Sequence, residues 1–266
     1  MGIELPDSEL IEFAKSIELV STDVLDGLHR SARGGEGVEY HSTFPYSAGE
    51  DARRIDWKRF ASSDRFFVNR FEREEKTSWT ILIDRSKSMS YEKKLKWASY
   101  WAGALIFLAK VWGDRWRLLP DTDSSIEDAF HLLSQNKVGV ENPENLEFEG
   151  RSGDRLVVFS DFFWDADLLR KRIQKWQSLF DHVSLIQILD PREAEFNFSG
   201  VMEFRDLESS DRLVLDAGRA ANRYRKVLKK LQESLKAPLS EGSFSMTFQA
   251  EEGKLKEQLL KFFEEM

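Results

Sequence analysis

The sequence predicts an α/β protein in which helices flank a mostly parallel sheet, with an N-terminal extension of irregular and β structure. Three observations lead there. Short apolar or β-branched runs at residues 80–83, 156–159 and 183–189 read as buried strands. Amphipathic segments long enough for helices separate them, the alternation that builds parallel sheets. Two of these runs end in a carboxylate, at Asp84 and Asp161, and open α/β sheets collect ligands at the carboxyl ends of their strands.

In chain order, residues 7–20 predict an amphipathic helix with Leu10, Phe13, Ile17 and Val20 at helical spacing. Residues 33–63 contain Gly34, Gly35, Gly37, Pro45 and Gly49, which predicts irregular structure. Residues 66–71 read as extended. The strand ending at Asp84 comes next, then a helix over 90–112 that buries Leu95, Ala98, Trp101, Ala102, Leu105, Leu108 and Ala109 and stops at Gly113. A short strand at 115–119 precedes a helix at 125–133, capped near Ser124. The strand delivering Asp161 leads into a helix with Leu169, Ile173, Trp176 and Phe180 on one face. A third buried strand ends at Asp190-Pro191, and residues 201–216 predict a hairpin turning at 208–211. A helix with Tyr224, Val227, Leu231 and Leu235 follows, then alternating Phe244, Met246 and Phe248 as a strand, and a last helix with Leu255, Leu259 and Phe263. Two domains are expected, residues 1–75 and 76–266.

Composition narrows the function. Of 266 residues, 41% are apolar, with 20 Phe and 8 Trp, enough for a substantial core. Lys plus Arg number 39 against 47 Asp plus Glu, and the net charge of −8 argues against a nucleic-acid partner. The absence of cysteine excludes disulfides, thiolate metal sites and cysteine nucleophiles. The N-terminus lacks the basic start and apolar run of a signal peptide. The most apolar window, residues 97–109, falls short of the ~20 residues that cross a bilayer. A cytoplasmic protein without a membrane span is expected.

The loop Asp84-Arg85-Ser86-Lys87-Ser88-Met89 carries the chemistry. A strand delivers a carboxylate, and two serines follow at even spacing before a helix. Hard oxygen donors of this kind suit Mg²⁺ or Mn²⁺. If the strands before Asp84 and Asp161 are neighbours, both carboxylates meet the Ser86 and Ser88 hydroxyls. An ion held by neutral hydroxyls, with carboxylates bound directly or through water, stays positive and keeps a position open for a partner's acidic side chain. The alternative is structural: Asp84 caps its loop or helix, and the serines satisfy local backbone donors.

The Asp-x-Ser-x-Ser spelling resembles the metal-ion-dependent adhesion site of von Willebrand factor A domains. In that pattern a threonine from another loop completes the shell, which points to Thr122, with Ser124 and Ser125 as alternatives. The wider sequence resembles the domain of unknown function 58 family. The stretch Tyr46-Ser47-Ala48-Gly49-Glu50-Asp51-Ala52-Arg53-Arg54-Ile55-Asp56-Trp57-Lys58 is similar to its signature, with Ala48 in place of proline. Phe71-Glu72-Arg73-Glu74 and Arg205-Asp206-Leu207-Glu208 also match, so the resemblance runs from about residue 20 to the C-terminus. It implies a von Willebrand factor A-like, Rossmann-like domain. It further implies a cytoplasmic binding protein that works with MoxR-type AAA+ ATPases in protein maturation or remodelling. In the signature, Trp57 and Ile55 read as packing residues. Arg53, Arg54, Lys58 and Arg59 read as a solvated face or as a docking patch for an acidic partner.

An enzyme is the rival class. A phosphatase of the haloacid dehalogenase type would need a second aspartate where Ser86 stands. No Gly-x-Ser-x-Gly elbow or P-loop occurs, and His29, His41, His131 and His182 follow neither a catalytic nor a zinc pattern. The sequence therefore predicts a non-enzymatic protein-binding module with a metal site at Asp84, Ser86, Ser88, Asp161 and Thr122. A metal-free adaptor is its main alternative and a metal-dependent hydrolase the lesser one.

Overall fold

The computed structural model describes residues 8–34, 43–45, 67–69, 77–119, 125–139, 150, 154–207, 209, 211–251 and 253–266. Two compact units divide the chain. The first comprises the N-terminal residues through Gly27 together with 77–266, and the second is residues 28–76. Of the second unit the structure describes the end of the first helix and a strand pair, β1 (Thr43–Pro45) antiparallel to β2 (Phe67–Asn69). The signature stretch 46–58, with Trp57 and its neighbouring arginines, lies outside the described residues.

The first unit is built on five parallel strands: β3 (Ser78–Ile83), β4 (Arg115–Leu119), β5 (Asp154–Ser160), β6 (His182–Leu189) and β9 (Phe244–Gln249). Their order across the sheet is β4-β3-β5-β6-β9, every neighbouring pair parallel. The fold is therefore α/β and Rossmann-like, as expected. The order in which strands are added reverses between β3 and β5, since β4 lies beside β3 on one side while β5, β6 and β9 lie on the other. A reversal of this kind opens a crevice at the strand carboxyl ends, and Asp84 and Asp161 stand there.

Helices cover both faces because both faces are apolar. Along β3, Trp79, Ile81 and Ile83 point one way and Thr80 and Leu82 the other, as strand alternation dictates. On the first face lies α2 (Lys94–Trp112), whose Trp101 is fully buried against Phe159, Phe248 and Phe262 at ring separations of 5.3, 5.4 and 5.9 Å. The last helix, α7 (Leu255–Glu265), shares that face. On the second, α4 (Ala166–Leu179) packs Leu169, Ile173 and Trp176 onto Leu156, Val158, Val183 and Leu185. Leu235 of α6 (Ala217–Lys236) completes this cluster. Gly113 ends α2 in the left-handed region, φ 75°, with its N–H on Ala109 and Lys110 carbonyls, a conformation that favours glycine.

Three expectations need correction. The first helix, α1 (Ser8–Gly34), is longer than read, and its stretch through Gly27 belongs to the α/β unit rather than to a separate N-terminal domain. Phe13 and Ile17 are buried, and they abut Gly103 of α2, where a Cβ would lie 3.0 Å from Phe13 and 3.1 Å from Ile17. In α6 Leu228 is buried, while Val227 is 60% exposed. In α7, Phe262 rather than Phe263 is buried. The remaining described elements are α3 (Ile126–Ser134), α5 (Pro191–Glu195) and an antiparallel ribbon of β7 (Val201–Arg205) with β8 (Arg212–Asp216).

Candidate functional site

Parallel pairing puts Ile83 beside Phe159, and the Asp84 N–H extends the ladder onto the Phe159 carbonyl at 2.8 Å. The two carboxylates therefore leave adjacent strands at adjacent levels. Asp84 is fully buried and Asp161 is 1% exposed. Asp84 Oδ1 accepts the Ser86 N–H at 2.8 Å, and its Oδ2 accepts the Ser160 hydroxyl at 2.6 Å. Ser160 Oγ in turn accepts the Phe162 N–H at 2.9 Å. Burial raises the Asp84 carboxyl above the ordinary carboxylate range and the Asp161 charge adds to the rise, opposed by the hydrogen bonds from Ser160 and Ser86.

After Asp84 the chain makes a single 3₁₀ turn, Lys87–Ser90, with Ser86 as its first cap. The Ser86 and Ser88 hydroxyls lie 3.1 Å apart, so the loop brings both serines to the same point. Of the five residues expected at the site, Asp84, Ser86, Ser88 and Asp161 thus stand at one sheet edge. Thr122 and Ser124 lie outside the described residues. Ser125 is the N-cap of α3, its hydroxyl accepting the Asp128 N–H at 3.1 Å.

A residue absent from the expected set dominates this edge. Lys94, in the first turn of α2, is 1% exposed and extends its ammonium to Asp161 Oδ2 at 2.9 Å and to Glu193 Oε1 at 2.9 Å. Burial alone would lower the lysine's pKa. The charges of Asp161 and Glu193, with the hydrogen bonds to both, outweigh it and hold the group above its ordinary value. Asp161 Oδ1 accepts the Phe163 N–H at 3.2 Å. Glu193 is fixed by α5: Asp190 caps that helix, Pro191 begins it, and Glu193 Oε2 accepts the Asp190 N–H at 3.0 Å.

The described part of this set already holds a positive charge of its own, the Lys94 ammonium. Each Asp84 oxygen already accepts a hydrogen bond, and the Asp161 oxygen next to Lys94 is held by an ammonium. Adding a divalent charge beside that ammonium is unfavourable at any low effective dielectric. Among the described residues, no group of three or more His, Asp or Glu side chains is arranged to hold a metal; hydroxyl ligands such as Ser86 and Ser88 fall outside that pattern. Lys94 and Glu193 were missed by sequence reasoning, although signals for both existed. Lys94 continues the Ala98, Trp101 and Leu105 stripe at helical spacing, a position where a lysine must bury its charge. Asp190-Pro191-Arg192-Glu193 spells a capping box with proline at the first helical position.

Fold and site together define a Rossmann-like α/β domain with an ion-paired switch point. A model of the family described as "Protein of unknown function DUF58" matches residues 42–129, from the signature stretch through the Asp84 loop and into α3. That span is narrower than the resemblance read from the sequence. A solved structure, the conserved hypothetical protein BatB from Bacteroides thetaiotaomicron, is similar at 12% identity over 71% of this chain and 97% of that one, with a TM-score of 0.35. No curated protein matches. Among the described residues, no helix is long and apolar enough to cross a membrane.

Proposed function

We propose that this chain is a non-enzymatic protein-binding scaffold whose strand-end site is closed by its own lysine instead of by an exchangeable cation. One observation carries the reading: the Lys94 ammonium, buried, sits 2.9 Å from both Asp161 and Glu193. It supplies from within the chain the positive charge that a metal would bring. Asp84 is also poorly suited to catalysis. It is fully buried, and both of its oxygens accept hydrogen bonds from Ser86 and Ser160, an arrangement that suits a structural carboxylate better than a nucleophile or base. The partner implied by the family resemblance, a MoxR-type AAA+ ATPase or its client, is the first to test, in protein maturation or remodelling.

The metal-assisted reading keeps one observation in its favour, the convergence of the Ser86 and Ser88 hydroxyls beside Asp84. Thermal unfolding separates the two. A ligand at free concentration L that binds only the native state stabilises it by RT ln(1 + L/Kd). Millimolar Mg²⁺ or Mn²⁺ is expected to leave the melting temperature of the native chain and of an Asp84→Ala variant equally unmoved. A rise in melting temperature with either ion that disappears in Asp84→Ala would return the site to the metal.

A further inference from the structure

A second concavity opens at the same edge of the sheet, between α6 and α7 at the carboxyl ends of β6 and β9. Its volume is about 690 Å³, within the range of sites that enclose small ligands or a few residues of peptide. Leu189, Ala194 and Leu228 give it an apolar lining, and Arg225, Lys229 and Lys254 give it positive charge. Glu257 is the single carboxylate on its wall. Arg225 and Lys229 are exposed, and Lys229 makes no ion pair among the described residues. Lys254 is shared with Glu251 and Gln249.

Charge is concentrated here against the trend of the chain. Helix α6 carries Arg219, Arg223, Arg225, Lys226, Lys229, Lys230 and Lys236 against one acidic residue, Glu233, in a protein of net charge −8. Helical spacing turns Arg225, Lys229 and Gln232 toward the groove and Arg223 and Lys230 to the opposite face. The floor is held in place by buried polar contacts. Gln232 Nε2 donates to Gln187 Oε1 and to Thr247 Oγ1, each at 3.2 Å. Gln187, fully buried, donates to the Asp161 carbonyl at 3.1 Å. The groove is thus preformed and wired to the strand-end site, which lowers the ordering cost of binding.

We infer that this groove docks a short segment of a protein partner that combines acidic with apolar side chains; the inference rests on the protein-binding reading above. Carboxylates pair with Arg225 and Lys229 at the rim, and an apolar side chain covers Leu189, Ala194 and Leu228. A nucleic acid is a poorer occupant, because the lining offers no aromatic ring on which a base could stack.

The test uses the full chain and a fluorescein-labelled peptide, Glu-Leu-Glu-Glu-Leu-Glu, with its Gln-for-Glu counterpart, followed by fluorescence anisotropy at low salt. Arg225→Glu/Lys229→Glu is compared with Arg223→Glu/Lys230→Glu, which changes charge equally on the outer face of the same helix. The groove variant is expected to weaken binding at least about tenfold and the outer-face variant less than about threefold, with the glutamine peptide at least about tenfold weaker than the glutamate one. If the reversed groove variant loses its cooperative melt, Arg225→Gln/Lys229→Gln carries the same comparison. Equal weakening by both pairs, equal binding of both peptides, or tighter binding of a thymidine oligonucleotide than of the peptide overturns the proposal. Retention of the AAA+ partner by the groove-reversed protein would also overturn the groove while leaving the scaffold reading intact. A melting temperature raised by Mg²⁺ in the native chain and unmoved in Asp84→Ala would instead strike at metal independence.

Discussion

Replacing Lys94 with methionine tests the site at its centre. The substitution keeps an unbranched apolar stem of similar length, so little cavity is created. What it removes is the charge. Lys94 and Asp161 are each 1% exposed, while Glu193 is 19% exposed. Glu193 can recover water when its partner goes; Asp161 cannot. Stranding one member of a buried pair costs about 3–5 kcal/mol. In a chain of this size that corresponds to a fall of about 6–20 °C in melting temperature. Adding Asp161→Asn to Lys94→Met should recover most of the loss, because an amide oxygen still accepts the Phe163 N–H and the carboxylate stranded by the first substitution is gone. Urea unfolding of the native chain, both single variants and the double variant closes the cycle, and a positive coupling of about 2 kcal/mol or more is expected. A loss below about 1 kcal/mol for Lys94→Met, or a double variant no more stable than the single, would refute a buried ion pair as the feature that closes this edge.

Three further outcomes follow from packing and burial. Gly103→Leu places a side chain where a Cβ alone meets Phe13 and Ile17; it should destabilise by about 1–3 kcal/mol, and protease cleavage within α1 should accelerate. Wild-type cleavage kinetics in that variant would show that α1 is not anchored at this point. Asp114 accepts the Thr77 N–H at 3.1 Å and the Trp79 indole N–H at 3.0 Å. Asp114→Ala leaves the indole donor, buried at 2% exposure, without that acceptor and should cost about 1–3 kcal/mol in chemical denaturation, against no change if water substitutes freely. The Tyr224 hydroxyl is raised well above its ordinary value of 10.0, by burial first and then by the charges of Glu193 and Asp161. A raised acid holds its proton more tightly folded than unfolded, so its contribution is complete below pH 10 and is lost as pH rises beyond it. Unfolding free energy should therefore fall more steeply above pH 10 in the native chain than in Tyr224→Phe; parallel slopes would show that the ring ionises freely.

The architecture was legible because the central strands β3, β5 and β6 are largely apolar on both faces and each covering helix repeats its apolar residues at a fixed spacing. In two helices the reading slipped by one position. Val227 was read into the stripe that Tyr224, Leu228, Leu231 and Leu235 form, and Phe263 into the stripe that Leu255, Leu259 and Phe262 form. Both are places where two adjacent apolar residues compete and only packing decides between them. The meeting of Asp84 with Asp161 followed from strand adjacency, which no local pattern encodes but which parallel connectivity favours. Lys94 was harder to see. It lies among Lys93, Lys94 and Lys96, a cluster that reads as a solvated helix start. Position on the stripe marks it out, but its burial depends on Asp161 and Glu193, which lie 67 and 99 residues away in sequence.

A tethered ammonium and a bound divalent ion differ in what they leave available to a partner. A divalent ion takes six or more oxygens, of which a few protein ligands supply only part, so a partner's carboxylate can complete the shell. An ammonium has three protons. Lys94 directs two at Asp161 and Glu193, and its stem and head are shielded from solvent. Little remains for a third acidic group arriving from outside, and the desolvation of such a group would go largely unrewarded. Closing the edge in this way fixes α5 to the sheet: Glu193 is clamped from one side, while on the other Ala194 lines the α6–α7 groove and Arg225 reaches the Glu195 carbonyl at 3.3 Å. The groove wall is then rigid because the neighbouring site is occupied by the chain itself. On this account the substitution that frees α5, Lys94→Met, should weaken peptide docking in the groove without altering any residue that lines it. The Lys94→Met/Asp161→Asn pair should recover stability but not docking, since neither variant restores the clamp on Glu193.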